Sequence, residues 1–121
     1  MLWGRGIGRW IMIQWTRVKE LRDEVGAEDF DEVVDLFLEE VEETILDLSP
    51  DSTAGQMEQH LHFLKGSALN LGFRTFSDLC QDGERRSAKG ETGTINLTAI
   101  IEGFERSKTI FIAQLPEMLT G

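Results

Sequence analysis

Residues 30–48 read FDEVVDLFLEEVEETILDL, and this stretch decides the fold class. Its apolar residues recur every three or four positions, which is the spacing of one face of an α-helix. Acidic side chains occupy most of the other positions, as expected for a solvated face. The apolar stripe consists of Phe30, Val33, Val34, Phe37, Leu38, Val41, Ile45 and Leu48. The stretch therefore predicts an amphipathic helix that ends before Ser49-Pro50.

The sequence on either side predicts two more helices with marked ends. A short helix comes first, because apolar residues recur at helical spacing over residues 15–25 and Gly26 then supplies a stop. Thr53 and Gln56 have the form of a capping box and open a third helix, which Gly72 terminates in a left-handed conformation. The inward stripe of the third helix comprises Met57, Leu61, Leu64, Ala68 and Leu71.

Two further helices complete the pattern. The fourth is predicted from about Thr75 to Ala88, before the turn-like residues 89–93. The last is predicted from about Ile95 to Leu119, and Pro116 is expected to distort or end its final turn. Inward residues of the fourth helix are Phe76, Leu79 and Cys80. Those of the last helix are Leu97, Ile101, Phe104, Phe111, Leu115 and Met118.

These elements define the predicted fold class and domain organisation. No segment alternates at period two over the length of a strand, so the prediction is all-α. Four substantial amphipathic helices with short connections favour an antiparallel four-helix bundle, with the short first helix packed across one end. The 121 residues are enough for one domain, which we assign to residues 12–121. Residues 1–11 lack the apolar centre of a signal peptide and are expected to form a loose extension, with Met12 a candidate natural start.

Composition and charge exclude several classes of function. No apolar run approaches the ~20 residues needed to span a bilayer, so no membrane partner is expected. The formal net charge of -10 argues against nucleic acid as a partner, because like charges repel. Cys80 is the only cysteine, which excludes an intrachain disulfide and fits a reducing cytosol. Free cysteine usually behaves as a small buried hydrophobe, with a redox-active thiol as the alternative.

The third helix carries both histidines of the chain, and they point in different directions. At about 100° per residue, His60 lies about 60° from the direction of the core and His62 about 140° from it. His62 is therefore expected to face solvent, and His60 the edge of the core. This divergence, with no obvious third ligand, argues against a metal site at the pair.

Lys65 and Gly66 are the helix-surface neighbours of His62, three and four residues later. An exposed imidazole near neutral pH offers an unprotonated ring nitrogen as a nucleophile. The lysine supplies a cation that would offset the charge of a phosphoryl group, and the glycine removes bulk where another molecule must approach. Three simpler interpretations stay open at this point: a surface histidine, a solvated lysine, and a glycine that lets another helix pack closely.

Residues 62–72 read HFLKGSALNLG, which resembles the signature of histidine phosphotransfer (HPt) domains, H-x-L-K-G-S followed by L-G. The resemblance extends into the next helix and back into the acidic second helix, and it covers roughly residues 15–119. It implies a four-helix bundle that acts as a stoichiometric phosphocarrier. It also implies that the chain is not an enzyme and has no ATP-binding or kinase domain of its own.

The resemblance assigns roles to individual residues and to partners. It implies that His62 is the phosphoacceptor, Lys65 the nearby cation and Gly66 the residue that leaves room for a partner. Gln59 and Ser67 are expected to support the site by hydrogen bonding. The implied partners are receiver domains of response regulators and a hybrid sensor histidine kinase. The receiver supplies Mg²⁺, so this chain is expected to need no metal or cofactor.

Three further residues carry expectations of their own. Leu69 is an apolar residue on an outward face, so we expect it in the docking surface for the receiver. Gly83 stands where the family tends to have an apolar residue, which puts the stability of the fourth helix in doubt. Phe73 follows Gly72 where a small residue is common, and it is expected to pack back on Leu69 or Ala68.

Two other classes of protein are alternatives to the carrier. Sensor histidine kinases also present a phosphorylated histidine on a helix, but here Phe63 rather than an acidic residue follows His62, and no Gly-rich ATP-binding segment comes after it. A plain helical adaptor would carry an incidental histidine, and His62→Gln would leave its partner binding unchanged. For the carrier we expect a cytoplasmic monomer, although the same sequence could belong to a larger hybrid kinase.

Overall fold

The computed structural model describes residues 12–119, and within that range it contains five α-helices and no strand. The helices are α1 (Trp15–Val25), α2 (Phe30–Leu46), α3 (Ala54–Leu71), α4 (Arg74–Ala88) and α5 (Leu97–Leu119), with a 3-10 turn at Thr92–Thr94. The prediction of an all-helical fold is confirmed for this part of the chain. The predicted extension at residues 1–11 lies outside the described residues. None of the five helices has the length and hydrophobicity needed to cross a bilayer.

One hydrophobic core is built from the apolar faces of all five helices. Aromatic side chains from the α3–α4 junction, from α4 and from α5 fill its centre and are almost fully buried. The Phe73 and Phe111 rings meet edge to face at 5.3 Å, and the Phe76 ring lies 5.4 Å from that of Phe104. Such pairs add to the stabilisation that apolar burial provides.

The capped ends of α3 follow the sequence prediction. The Thr53 hydroxyl accepts a hydrogen bond from Gln56 N at 3.1 Å, and the Gln56 side chain accepts one from Thr53 N at 3.0 Å. These two bonds satisfy backbone donors that have no partner inside the helix. At the other end Gly72 adopts φ +77°, in the left-handed region. Both ends of the helix that carries His62 are therefore fixed locally.

The segment that leads into α1 is tied to the junction between α3 and α4. Gln14 N donates to Gly72 O at 2.7 Å, and Arg74 N donates to Met12 O at 2.9 Å. The Trp15 ring also stacks on that of Phe111 at 5.7 Å. The first helix is therefore anchored at the C-terminal end of α3.

Gly72→Ala is expected to destabilise the chain strongly, because two effects add at this position. The left-handed conformation costs an L-residue about 1–2 kcal/mol, and a Cβ at Gly72 would lie 2.7 Å from the backbone oxygen of Gln14. With overpacking of about 1–3 kcal/mol, the loss in free energy of unfolding should reach about 3 kcal/mol. Urea denaturation followed by circular dichroism measures this loss.

Gly90→Ala is the matched control for that substitution. Gly90 has a similar φ of +75°, but no atom of the described residues lies within 4 Å of the position that its Cβ would occupy. Gly90→Ala should lower the free energy of unfolding only by the cost of the left-handed conformation, about 1–2 kcal/mol. Equal losses in the two variants would mean that the Gln14 carbonyl moves aside without cost.

The register of α5 corrects the prediction at Ile101. Its side chain is 37% exposed, whereas Ile100 is buried with Phe104 and Phe111. The inward position in this turn is therefore one residue earlier than predicted, and a shift of one residue turns a side chain by about 100° around the helix. Sequence spacing alone did not distinguish the two isoleucines, because both precede Phe104 at helical spacing.

α5 ends at Leu119, as predicted, and it runs through Pro116. Proline is tolerated here because it lies in the last turn of a long helix. One helix end differs from the prediction. α2 ends at Leu46, so Leu48 lies beyond the helix, yet it still packs against the core.

The two residues that departed from the family pattern are both packed inside the fold. A Cβ at Gly83 would lie 2.8 Å from Leu61 Cδ1, so the glycine permits close packing of α4 on α3. The expected packing of Phe73 on Leu69 or Ala68 stays a prediction, because the described ring contacts of Phe73 are with α5. Its ring meets Phe104 and Phe111 of that helix. The fourth helix spans its full predicted length with Gly83 buried.

Candidate functional site

His62 lies in the middle of α3, and its side chain is 69% exposed, as predicted. Its Nδ1 lies 2.8 Å from Oε2 of Glu84, which belongs to α4. Nε2 has no hydrogen-bond partner within residues 12–119. One ring nitrogen is thus held by the neighbouring helix, while the other stays available to a second molecule.

The same carboxylate also contacts Lys65. Its Nζ lies 2.8 Å from Glu84 Oε1, so the two oxygens of one side chain are divided between a lysine and a histidine. Glu84 and Lys65 are largely covered, with side-chain exposures of 17% and 24%. This partial burial limits screening of the ion pair by solvent. The three residues form a small polar network across α3 and α4, which we call the acceptor network.

The ionised form of Glu84 determines which ring nitrogen of His62 donates to it. Burial raises the pKa of Glu84, but its interactions with Lys65 and His62 outweigh burial and hold that pKa below the usual range of a glutamate. Glu84 is therefore ionised at neutral pH and can only accept hydrogen bonds. His62 must then donate through Nδ1–H, so the neutral ring keeps its lone pair on Nε2. Nε2 is therefore the ring nitrogen whose lone pair is free to act as a nucleophile.

Gly66 leaves an open space beside the imidazole. No atom of the described residues lies within 4 Å of the position that a Cβ would take. The glycine therefore does not serve to pack another helix of this part of the chain closely against α3, as it does at Gly83. Room for an approaching molecule stays a prediction, and the open space at Gly66 is compatible with it.

The outward face of α3 carries an apolar patch around His62. The patch consists of Phe63, which is 40% exposed, and Leu69, which is 49% exposed. Gly66 lies on the same face. These positions follow helical spacing, so they share one side of the helix. We call this the His62 face, and it consists of Gln59, His62, Phe63, Gly66, Leu69 and Asn70.

Two of the residues predicted to support the site lie in different places. Gln59 is exposed on the His62 face. Ser67 is 5% exposed and lies five residues after His62, about 140° around the helix from it. No hydrogen bond joins either side chain to His62 within residues 12–119. Hydrogen-bonding support from Gln59 and Ser67 therefore stays a prediction, because none of the described contacts shows it.

The remaining candidate groups are accounted for by burial and spacing. His60 is partly buried, as predicted for the edge of the core. Within residues 12–119 no group of three or more His, Cys, Asp or Glu side chains is placed to hold a metal ion. Cys80 is buried, and burial together with the charge of Glu84 raises the pKa of its thiol to about 12. Since the thiolate is the reactive form, this cysteine is a core residue.

Glu84 is the site residue that the sequence interpretation missed. It follows Phe76 and Cys80 at intervals of four, so it continues the buried side of α4. An acidic residue in line with a buried stripe needs a partner, because an unpaired buried charge is costly. That placement was the available signal, although it could not say which cation on which helix would be the partner.

Comparison with known protein families gives a match. The family model described as Hpt domain matches residues 32–120. No significant match was found among curated proteins or among solved structures. The matched range contains most of α2 and the whole of α3, α4 and α5, while α1 precedes it.

Proposed function

The chain belongs to the Hpt domain family, and from this we propose that His62 carries a phosphoryl group between receiver domains of a two-component phosphorelay. Hpt domains are phosphocarriers rather than catalytic enzymes, and they work with receiver domains and sensor kinases. The observation that supports His62 as the acceptor is its Nδ1 contact with the ionised Glu84 at 2.8 Å. That contact leaves the lone pair of Nε2 directed away from the acceptor network.

In the proposed reaction, Nε2 attacks the phosphorus atom of a receiver phosphoaspartate. The N–P bond forms while the bond from phosphorus to the carboxylate oxygen breaks, and the aspartate leaves as a carboxylate. The ring keeps its Nδ1 proton and becomes cationic, so Glu84 stabilises the charge that develops on it. The reverse reaction passes the group to another receiver.

Lys65 supplies the positive charge on the phosphoryl side of the acceptor network. Its ammonium lies one helical turn from His62 and is held by Glu84. A flexible lysine that keeps one carboxylate contact can still turn toward a new anion nearby. We propose that Lys65 partly neutralises the bound phosphoryl group. Mg²⁺ would be supplied by the receiver, with no metal held by this chain.

The four longer helices, α2 to α5, are proposed to form the antiparallel bundle typical of the family, with α1 across one end. Support comes from the short connections, from the contacts of α3 with α2 and α4, and from the contact of α4 with α5. This arrangement places the His62 face on the outside of the bundle, where a receiver can dock. A monomeric, cytoplasmic carrier follows from the same proposal.

Phosphate transfer from a phosphorylated receiver domain tests the proposed function directly. The chain should become labelled, and the label should be lost in acid and stable in base, as expected for a phosphohistidine. Incubation with ATP alone should give no label, because a kinase domain is needed for autophosphorylation. A chain that takes no label from any of several receivers would support the alternative of a plain helical adaptor.

Gly66→Gln is expected to slow transfer by obstructing the receiver. Glycine replacement should favour the helix by up to about 1 kcal/mol, so loss of activity could not be attributed to loss of folding. A reacting group displaced by about 1 Å costs up to about 100-fold, so we expect slowing of about tenfold or more. Gly55→Gln is the control, since Gly55 is equally open but lies near the start of α3, away from His62. Unchanged transfer by the Gly66 variant would contradict the steric role.

Leu69→Glu is expected to weaken receiver binding without unfolding the chain. Leu69 is 49% exposed, so a carboxylate there stays hydrated, yet it removes an apolar contact from the His62 face. Loss of an interface contact worth about 1 kcal/mol raises Kd about fivefold. Leu46→Glu on α2 is the control, because Leu46 is 84% exposed and outside that face. Calorimetric titration with the receiver measures the Kd of each variant. If the Leu69 variant binds as tightly as the Leu46 variant, the docking surface lies elsewhere.

A further inference from the structure

The N-terminal helix forms a groove next to the His62 face. Leu69 makes one wall, and the other wall comes from the start of α1. The groove has a volume of about 360 Å³ and is open to solvent, and its lining is Gln14, Thr16, Arg17, Glu20 and Leu69. Because Leu69 belongs to both surfaces, the groove continues the His62 face beyond α3.

Arg17 fixes the groove in place. Its guanidinium makes hydrogen bonds to both carboxylate oxygens of Glu24, at 3.1 and 3.2 Å. On the other side Arg17 Nε donates to the backbone oxygen of Asn70 at 3.2 Å. A paired and planar guanidinium joins two elements rigidly. α1 is thus held against the C-terminal end of α3 at the level of Leu69.

The chemistry of the groove suits a long basic side chain. Glu24 offsets the charge of Arg17, whereas Glu20 is 63% exposed and has one contact of 3.4 Å with Arg17. The groove therefore presents one largely available carboxylate together with the polar atoms of Gln14 and Thr16. Leu69 offers an apolar wall of the kind that the aliphatic stem of lysine or arginine covers.

We propose that α1 is a second part of the docking surface, in which this groove binds a lysine or arginine side chain of the receiver domain. The stem of that side chain lies on Leu69 and its charged end meets Glu20. The inference rests on the proposed function, because the receiver must already be seated on the His62 face. α1 precedes the range matched by the family model.

A charged contact at the rim of an interface acts mainly on partner choice. Complementary charge speeds association, and like charge rejects wrong partners. With a net charge of -10, the chain already disfavours receivers whose facing surface is acidic. The groove would add a local requirement for one basic residue at a defined distance from the phosphoaspartate.

Glu20→Lys and Glu20→Gln test the proposal in saturation kinetics with a receiver that labels the unmodified chain. The lysine variant should raise the KM for the receiver about fivefold and the glutamine variant about twofold, with kcat unchanged in both. The glutamine variant places no positive charge beside Arg17, so it leaves the attachment of α1 intact. Higher salt should reduce the difference between the variants and the unmodified chain.

Glu43→Lys on α2 is the matched control, because Glu43 lies on a different helix and its substitution changes the net charge equally. KM should stay within experimental error for this variant. Equal effects at the two positions would overturn the inference in favour of a net-charge effect, and so would an unchanged KM at Glu20. If the unmodified chain takes no label from any receiver, the proposed function fails and this inference fails with it.

Discussion

Replacement of His62 by glutamine is expected to abolish phosphate transfer while leaving the fold intact. The imidazole is 69% exposed and takes no part in the core, so its loss should change the free energy of unfolding by less than about 0.5 kcal/mol. Glutamine can still donate a hydrogen bond to Glu84, but its amide has no nucleophilic lone pair. Label from a phosphorylated receiver should therefore fall to background, and circular dichroism should show unchanged helix content.

His60→Gln is the control for that result, since His60 is two residues away on the same helix. Its partly buried position on another side of α3 gives a receiver little access, so this variant should be labelled as fast as the unmodified chain. Acid-labile label that survives in the His62 variant would instead identify His60 as the acceptor. Unchanged signalling with no label in either chain would favour the helical adaptor.

Much of α3 could be predicted from the sequence because its signals are local. The capping box of Thr53 and Gln56 and the left-handed turn at Gly72 both depend on residues within one helical turn. The outward direction of His62 follows from its angle to the apolar stripe. The same angle places Leu69 outward, where the structure has it.

Features that depend on contact between helices could not be predicted in this way. The ring of Phe73 packs against aromatic rings of α5, which lie more than thirty residues away in the chain. Gly83 looked like a weak point of α4, yet it faces Leu61 at a distance that excludes a side chain. In both cases periodicity identifies the buried side of a helix but does not say which atoms oppose it.

The acceptor network shows why the same limit applies to the site. Lys65 looked from the sequence like a cation reserved for the phosphoryl group, because it is a helix-surface neighbour of His62. In the structure it is already paired with Glu84, which also holds His62. In the proposed function the lysine therefore serves two anions, Glu84 within the chain and the incoming phosphoryl group. The site is an interhelical unit rather than a property of α3 alone.

Glu84→Ala is expected to slow transfer by about 10- to 100-fold, the loss found when the residue that orients a metal-binding histidine is removed. Without the carboxylate the ring is free to rotate and to place its proton on Nε2, which removes the nucleophilic lone pair from the outward nitrogen. Glu84→Gln retains an oxygen that can accept from Nδ1 but loses the charge that stabilises the phosphorylated ring. Its rate should be intermediate.

A spectroscopic readout separates positioning by Glu84 from general support of the fold. In ¹⁵N spectra of histidine-labelled protein above neutral pH, His62 should carry its proton on Nδ1 in the unmodified chain and mainly on Nε2 after Glu84→Ala. Asp82→Asn is the control: Asp82 is exposed on the same helix and pairs with Arg86, so neither the His62 tautomer nor the transfer rate should change. A tautomer unaltered by Glu84→Ala would mean that the 2.8 Å contact does not select the nucleophilic nitrogen. Retention of the full transfer rate would remove Glu84 from the mechanism, because neither its charge nor its hydrogen bond would then contribute to the reacting state.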